Sequence, residues 1–185
     1  SAYFPDRSKY HELLRHSLGA APLMPRLTSE DGPLRVGLLL PIATFGGVEK
    51  VAYAAAHVLK KAGCEVHLFV FGEPVYHRIP DNDGLFDSIN FLADDYPLWG
   101  GPNMFSGHDI LMGHDENAKA REIIGFLSGL DVVVNNQLAP ANAVFGELRR
   151  RGEKVVNYEH VLESSEMGRA AGRAYLALAY ASICD

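Results

Sequence analysis

Two short apolar runs, separated by a glycine turn and a helical stretch, constrain this chain more than any other feature. Residues 36–40 form a nearly unbroken apolar run, which suits a parallel strand buried on both faces. From Val48 the period changes. Val48, Val51, Ala52, Ala55, Val58, Leu59 and Ala62 fall on one helical stripe, with Lys50, His57, Lys60 and Lys61 largely off it. Gly63 follows, where a left-handed helix cap needs no Cβ, and residues 66–71 supply a second apolar strand. The spacing predicts a right-handed βαβ unit that opens an α/β domain, an open parallel sheet with helices on both faces.

The turn between the first strand and the helix contains Thr44, Gly46 and Gly47. Ligands of open parallel sheets settle beyond the carboxyl ends of the strands. A helix that starts there presents unpaired N–H groups and about half a positive charge. Two glycines let the backbone approach a ligand, although a tight packing turn would use them equally well.

The length of 185 residues fits one domain with a proper core, here residues 34–185, preceded by a helix and tether over residues 1–33. In that leading segment Asp6 can cap a helix whose stripe is Tyr10, Leu13, Leu14 and Ser17, and the proline-bearing stretch 20–33 reads as a loop. The net charge of −6 leaves no global basic footprint for nucleic acid. Apolar runs are too short to span a bilayer, and no basic-then-apolar signal pattern is present. Cys64 and Cys184 read as small buried hydrophobes rather than a disulfide or metal pair, so a reducing, cytoplasmic setting is expected.

Residues 72–84 read as a loop and 88–92 as a short strand. The stretch 93–108 reads as a long loop bearing Tyr96, Trp99 and Phe105, aromatic faces that could stack on a sugar or close over the sheet edge. His108, Asp109, His114 and Asp115 repeat a Gly-His-Asp triplet without the helical spacing of a metal motif. A strand over 110–112 with polar flanks accounts for them, and no metal site is expected. Asp115 or Asn117 then caps a helix with Ala120, Ile123, Ile124 and Leu127 inward.

Residues 131–136 form a strand with Asn135 and Asn136 at its carboxyl end, followed by a helix over 140–151 with Ala141, Val144, Phe145 and Leu148 inward. Arg149, Arg150 and Arg151 crowd its last turn, where cations suit the helix dipole, and Gly152 stops it. The strand over 154–160 ends in Glu159 and His160. An alanine-rich stretch, 163–180, reads as a helix, and 182–185 as the approach to another strand, as in a fragment of a longer protein. If the strands are parallel, Thr44, Gly46, Gly47, Glu73, Asn135, Asn136, Gln137, Glu159 and His160 meet on one sheet edge.

Arg35-Val-Gly-Leu-Leu-Leu-Pro, Gly46-Gly-Val-Glu-Lys-Val-Ala and Ala62-Gly-Cys-Glu-Val-His-Leu together resemble the opening of the family-4 glycosyltransferases, retaining enzymes of the GT-B fold. Asp131-Val-Val-Val-Asn-Asn is similar to their later Asp-Val-Val strand. Val155-Val-Asn-Tyr-Glu-His is similar to the strand that ends in their active-site histidine. The match runs from about Leu34 to the end and is poor over 72–129.

The resemblance implies one Rossmann-like half of a two-domain enzyme, mainly the acceptor side, with the donor-binding C-terminal domain absent from this chain. It implies transfer of a sugar from a nucleotide-sugar to a glycan, lipid or small-molecule acceptor, without a metal or other cofactor. By the same likeness His160 contacts the transferred sugar. Gly46 and Gly47 match the loop that approaches the donor phosphates or the acceptor, and Glu49 matches a helix-start residue; from the polar strand ends, Thr44, Asn136 and Glu159 are expected to join them in binding substrate. The chain alone is expected to be inactive. Its expected location is cytoplasmic, with peripheral contact at the inner face of the membrane left open.

Two other readings stand beside it. An NAD(P)-binding domain would use Glu73 on a ribose, but Ala43-Thr-Phe-Gly-Gly-Val lacks the Gly-x-Gly-x-x-Gly spacing. A non-catalytic module would recognise a glycan or a partner through the aromatic loop.

Overall fold

A computed structural model of the chain describes residues 32–44, 46–71, 76, 84–92, 104–105, 108–109, 116–161, 163–164, 166–168, 170–171 and 177–185. The expected N-terminal helix, the strand over 110–112, and Glu73, Tyr96, Trp99, His114 and Asp115 lie outside these residues. So do the side chains of His108 and Asp109.

Alternation of apolar and turn-forming segments gives an α/β sheet. Its strands are β1 (Arg35–Leu40), β2 (Glu65–Val70), β3 (Ser88–Phe91), β4 (Met104–Phe105), β5 (His108–Asp109), β6 (Val132–Asn136) and β7 (Lys154–Tyr158). Among the described residues their order is β5-β4-β3-β2-β1-β6-β7. The five from β3 to β7 across the centre are all parallel, and β4 and β5 add an antiparallel edge. The stretch expected as a long loop thus contains two short strands, one of them on His108–Asp109 itself.

Helix α1 (Gly47–Lys61) covers one face of the sheet, whereas α2 (Glu116–Leu127) and α3 (Asn142–Arg150) cover the other. Strand alternation explains the division. Leu38 aligns with Leu68 and Val134 and joins the core under α1 with Ala52, Tyr53 and Ala56. Leu39 aligns with Phe69 and joins Ile124, Leu127, Val144, Phe145 and Leu148 on the opposite face. Each such fully buried Leu or Phe contributes about 1.5–3 kcal/mol.

The expected inward stripe of α1 is rotated in the fold. Glu49, Ala52, Tyr53 and Ala56 are buried, whereas Val51, Ala55 and Ala62 are exposed and Val58 is 67% exposed. Tyr53 decides the rotation, because its ring packs edge-on against Phe86 at 5.6 Å and lies 6.4 Å from Tyr76. Alanine and valine occur on both sides of this helix, so the larger ring wins the core. The helix ends as expected: Cys64 N–H donates to Leu59 O, Gly63 N–H to Lys60 O, and Gly63 has φ +85°.

Three further expectations shift. Asn117 lies inside α2 rather than capping it. A 3₁₀ turn (Ala139–Ala141) precedes α3. Over 163–171 the expected helix gives way to an antiparallel pair, β8 (Glu163–Ser164) with β9 (Ala170–Ala171), and among the described residues helical geometry is found at Ala177 and Leu178. Gly168, at φ +69°, breaks the helix despite the alanine-rich composition. The arginine run acts locally: Arg149 pairs with Asp185 at 2.9 Å, and Arg150 and Arg151 pair with Glu147. Cys64 and Cys184 are free thiols packed on opposite faces of the sheet.

At the amino ends of the strands lies a polar cluster. Arg35 pairs with Glu65 at 2.9 Å, and Lys60 pairs with Asp87, whose carboxylate also accepts the Val66 N–H. His67 is 2% exposed, its Nδ1 lies 2.8 Å from Ser88 Oγ, and its Nε2 lies 3.7 Å from Glu65. Burial holds its pKa below the usual imidazole value, against the opposing pull of Asp87 and Glu65. Below about pH 6.5 the unfolded chain therefore takes up a proton at His67 that the folded chain refuses.

Two predictions follow from this packing. Stability falls as pH drops from 7 toward 5, and His67→Gln flattens that fall in urea melts across the range. Gly37→Val drives a side chain into Leu130 and costs about 1–3 kcal/mol in the same assay at pH 7.

Candidate site at the strand carboxyl ends

β1 has β2 on one side and β6 on the other, and the sheet winds outward in both directions from that pair. The carboxyl ends of β1 and β6 thus frame the crevice where an open α/β sheet receives ligands. The α1 amino terminus meets it from the β1 side, and the ends of β6 and β7 close it from the other.

The side chain of Asn136 ties these elements together. Its Nδ2 donates to Leu39 O and to Val134 O, both at 3.3 Å. Those two carbonyls fix the amide orientation, so Oδ1 is the atom facing His160 Nε2, 3.2 Å away. An acceptor at Nε2 selects the Nε2–H tautomer of a neutral ring, leaving Nδ1 with a lone pair to accept a hydroxyl proton. The ring of Tyr158 stands edge-on to the imidazole at 4.4 Å. Burial keeps the His160 pKa below the usual imidazole range, while the negative charge of Glu49 pulls it back up. The imidazole is therefore neutral at pH 7.

Glu49 is buried beside it, 5% exposed in the first turn of α1. Its carboxylate lies where a Cβ on Gly46 would go, which is why residue 46 is a glycine: its φ of −128° suits any residue. Carboxylates are favoured at this end of a helix by the dipole. Gly47 is different. It is exposed, and no described residue comes within 4 Å of the position its Cβ would take. Packing therefore gives no reason for a residue that weakens the helix.

Most of the expected site residues are brought together. Gly46, Gly47, Glu49, Asn136 and His160 meet at this crevice, with Thr44 half-buried before the helix and Glu159 half-buried beside His160 in sequence. Phe105 is not among them. It packs between Phe69 at 6.3 Å and Phe126 at 4.7 Å, so it belongs to the core rather than to an acceptor loop.

The loop after β6 is built with equal care. Asn135 Nδ2 donates to Leu138 O and to Asn157 Oδ1, and Asn135 Oδ1 accepts the Leu138 N–H at 3.0 Å. This clamp turns the chain sharply, and Gln137 adopts φ +59° with its N–H donating to Tyr158 O. A left-handed conformation costs a non-glycine residue about 1–2 kcal/mol. The sequence places Gln137 at the strand end but carries no sign of that backbone strain.

Among the described residues no group of three or more His, Cys, Asp or Glu side chains could hold a metal ion, and no helix is long and apolar enough to cross a membrane. Comparison with models of known protein families gives no match, and no curated protein matches the chain.

Two substitutions probe the α1 amino terminus. Glu49→Gln removes the charge that raises the His160 pKa, so an NMR titration of the ring should show a lower value than in the wild type. Gly47→Ala should raise stability by up to about 1 kcal/mol in urea melts, because alanine is the better helix former and its methyl meets no described atom.

Proposed function

We propose that this chain is the acceptor-side half of a retaining glycosyltransferase of the GT-B type, which transfers a sugar from a nucleotide-sugar donor. The observation behind this reading is the position of His160. Asn136 holds its neutral ring at the junction of β1, β6 and β7, on the edge shared with the Gly46–Gly47 turn and Glu49. These residues also carry the resemblance to family-4 glycosyltransferases. The likeness in sequence and the meeting of the residues at one crevice are separate reasons for the same reading.

In this role His160 exchanges hydrogen bonds with the transferred sugar, with Nε2–H fixed by Asn136 and Nδ1 open as an acceptor. The bare backbone at Gly47 lets a substrate lie close to the first turn of α1. The nucleotide and the groups that stabilise its departing diphosphate belong to a second α/β domain in the intact enzyme. Transfer occurs in the cleft between the two halves, on the cytoplasmic side.

Residues 1–185 alone should show no sugar transfer from any common nucleotide-sugar. The intact native protein containing them should consume one such donor. His160→Ala in that protein should lower kcat/KM by about 10²-fold, the scale of one well-placed transition-state hydrogen bond. An intact protein that consumes no nucleotide-sugar, or a His160→Ala variant with full turnover, would overturn the proposal.

A further inference from the structure

We infer that Asn157 is a positioning residue of the crevice: through Asn135 and Asn142 its carboxamide fixes the end of β7, and with it the place where His160 meets Asn136. The inference deepens the reading of His160 as the group that meets substrate. It concerns the placement of the ring rather than the identity of the ligand.

Apolar packing holds one end of β7 and not the other. The strand is the edge of the sheet, with β6 as its neighbour. Val155 is fully buried in the core with Val144 and Leu148 of α3. Its N–H donates to the Asp185 carboxylate, its C=O accepts the Asp185 N–H, and Arg149 of α3 pairs with that same aspartate. The amino end of β7 is thus anchored. Toward the carboxyl end Asn157, Glu159 and His160 are half-buried, while Val156, Tyr158 and Val161 are exposed. A strand end with no buried apolar side chain opens at low cost unless polar groups tie it down.

Side-chain amides supply that tie. Asn157 stands in register with Asn135 of β6. Its Oδ1 accepts from Asn135 Nδ2 at 2.7 Å, and its Nδ2 donates to Asn142 Oδ1 at 3.4 Å. The orientations follow from one another. Asn135 Oδ1 accepts the Leu138 N–H, so Asn135 turns its nitrogen to Asn157, and Asn157 turns its oxygen to Asn135 and its nitrogen to Asn142. Asn142 is the first residue of α3 and is 2% exposed. Asn157 thereby joins β6, β7 and a buried helix end in one line of amides.

The same two strand ends carry Asn136 and His160. Their bond is 3.2 Å long, at the outer edge of the normal range. An opening of about 0.4 Å between the strand ends would take it to about 3.6 Å, where no hydrogen bond remains. A ring that keeps this bond therefore needs β6 and β7 held at a fixed spacing beside it, which is what the amide line does.

The test is ¹H–¹⁵N NMR of the His160 ring in the 185-residue chain, read as exchange of the Nε2–H proton with water. Asn157→Val removes the amide and keeps a strand-favouring side chain. Asn142→Ala severs the line from α3 and leaves both strands unchanged. Val155→Ala loosens β7 in the core without touching the amides, and so controls for general loss of stability. Exchange should quicken about fivefold in Asn157→Val, the scale of one lost hydrogen bond, and by less in Asn142→Ala. It should stay near the wild-type rate in Val155→Ala, although that variant melts at a lower temperature.

A wild-type exchange rate in Asn157→Val overturns the inference. A Val155→Ala variant as fast as Asn157→Val also overturns it, because general destabilisation would then account for the effect. Where the valine variant does not fold, Asn142→Ala against Val155→Ala decides: an Asn142→Ala rate no faster than the control overturns the amide line. None of these readings involves a sugar, so their failure leaves the glycosyltransferase reading standing. The expected ring response in an intact protein that consumes no nucleotide-sugar supports the inference and overturns that reading alone.

Discussion

The parallel pairing of β1 with β6 governs where polar chemistry can gather in this molecule. Val36, Gly37, Leu38 and Leu39 align with Val132, Val133, Val134 and Asn135, and the register sets which side chains emerge at the carboxyl ends. A slip of one residue would move Asn135 and Asn136 to opposite faces. Asn136 would then lose its bond to Leu39 O, and with it the support for His160. The apolar sides of these strands hold the register, so the core and the polar edge are fixed by the same pairing.

The crevice places two groups of opposite tendency close together. Glu49 is buried where the α1 dipole favours negative charge, and His160 is half-buried where desolvation disfavours positive charge. Their mutual attraction would favour a charged pair, yet burial of the imidazole outweighs it. The result is an edge with one fixed acceptor charge, neutral amides and a neutral imidazole. Its polarity comes from hydrogen-bonding groups more than from net charge, which suits ligands rich in hydroxyls.

Much of this arrangement was legible in the sequence because parallel strands announce themselves as continuous apolar runs. Residues 36–40, 66–71 and 131–136 fall on observed strands within a residue or so, and the polar ends gather as the strand direction requires. The face of α1 was not legible, since alanine and valine line both sides and the decision rests with Tyr53 packing on Phe86, distant in sequence. Composition also misled over 163–171, where alanine suggested a helix and Gly168 turned the chain instead. The left-handed turn at Gln137 combines the local Asn135 clamp on Leu138 with a tertiary bond to Tyr158 O on β7, and the sequence shows no sign of the second.

The most direct measurement is a pH titration of the His160 ring nitrogens by long-range ¹H–¹⁵N NMR, repeated with nucleotide-sugars added to the intact protein. A preorganised sugar site requires the Nε2–H tautomer, a pKa below the ordinary imidazole value, and ring resonances that move with one donor. An Nδ1–H tautomer or an ordinary pKa would contradict the Asn136-held geometry. A ring indifferent to every nucleotide-sugar would contradict its role in glycosyl transfer.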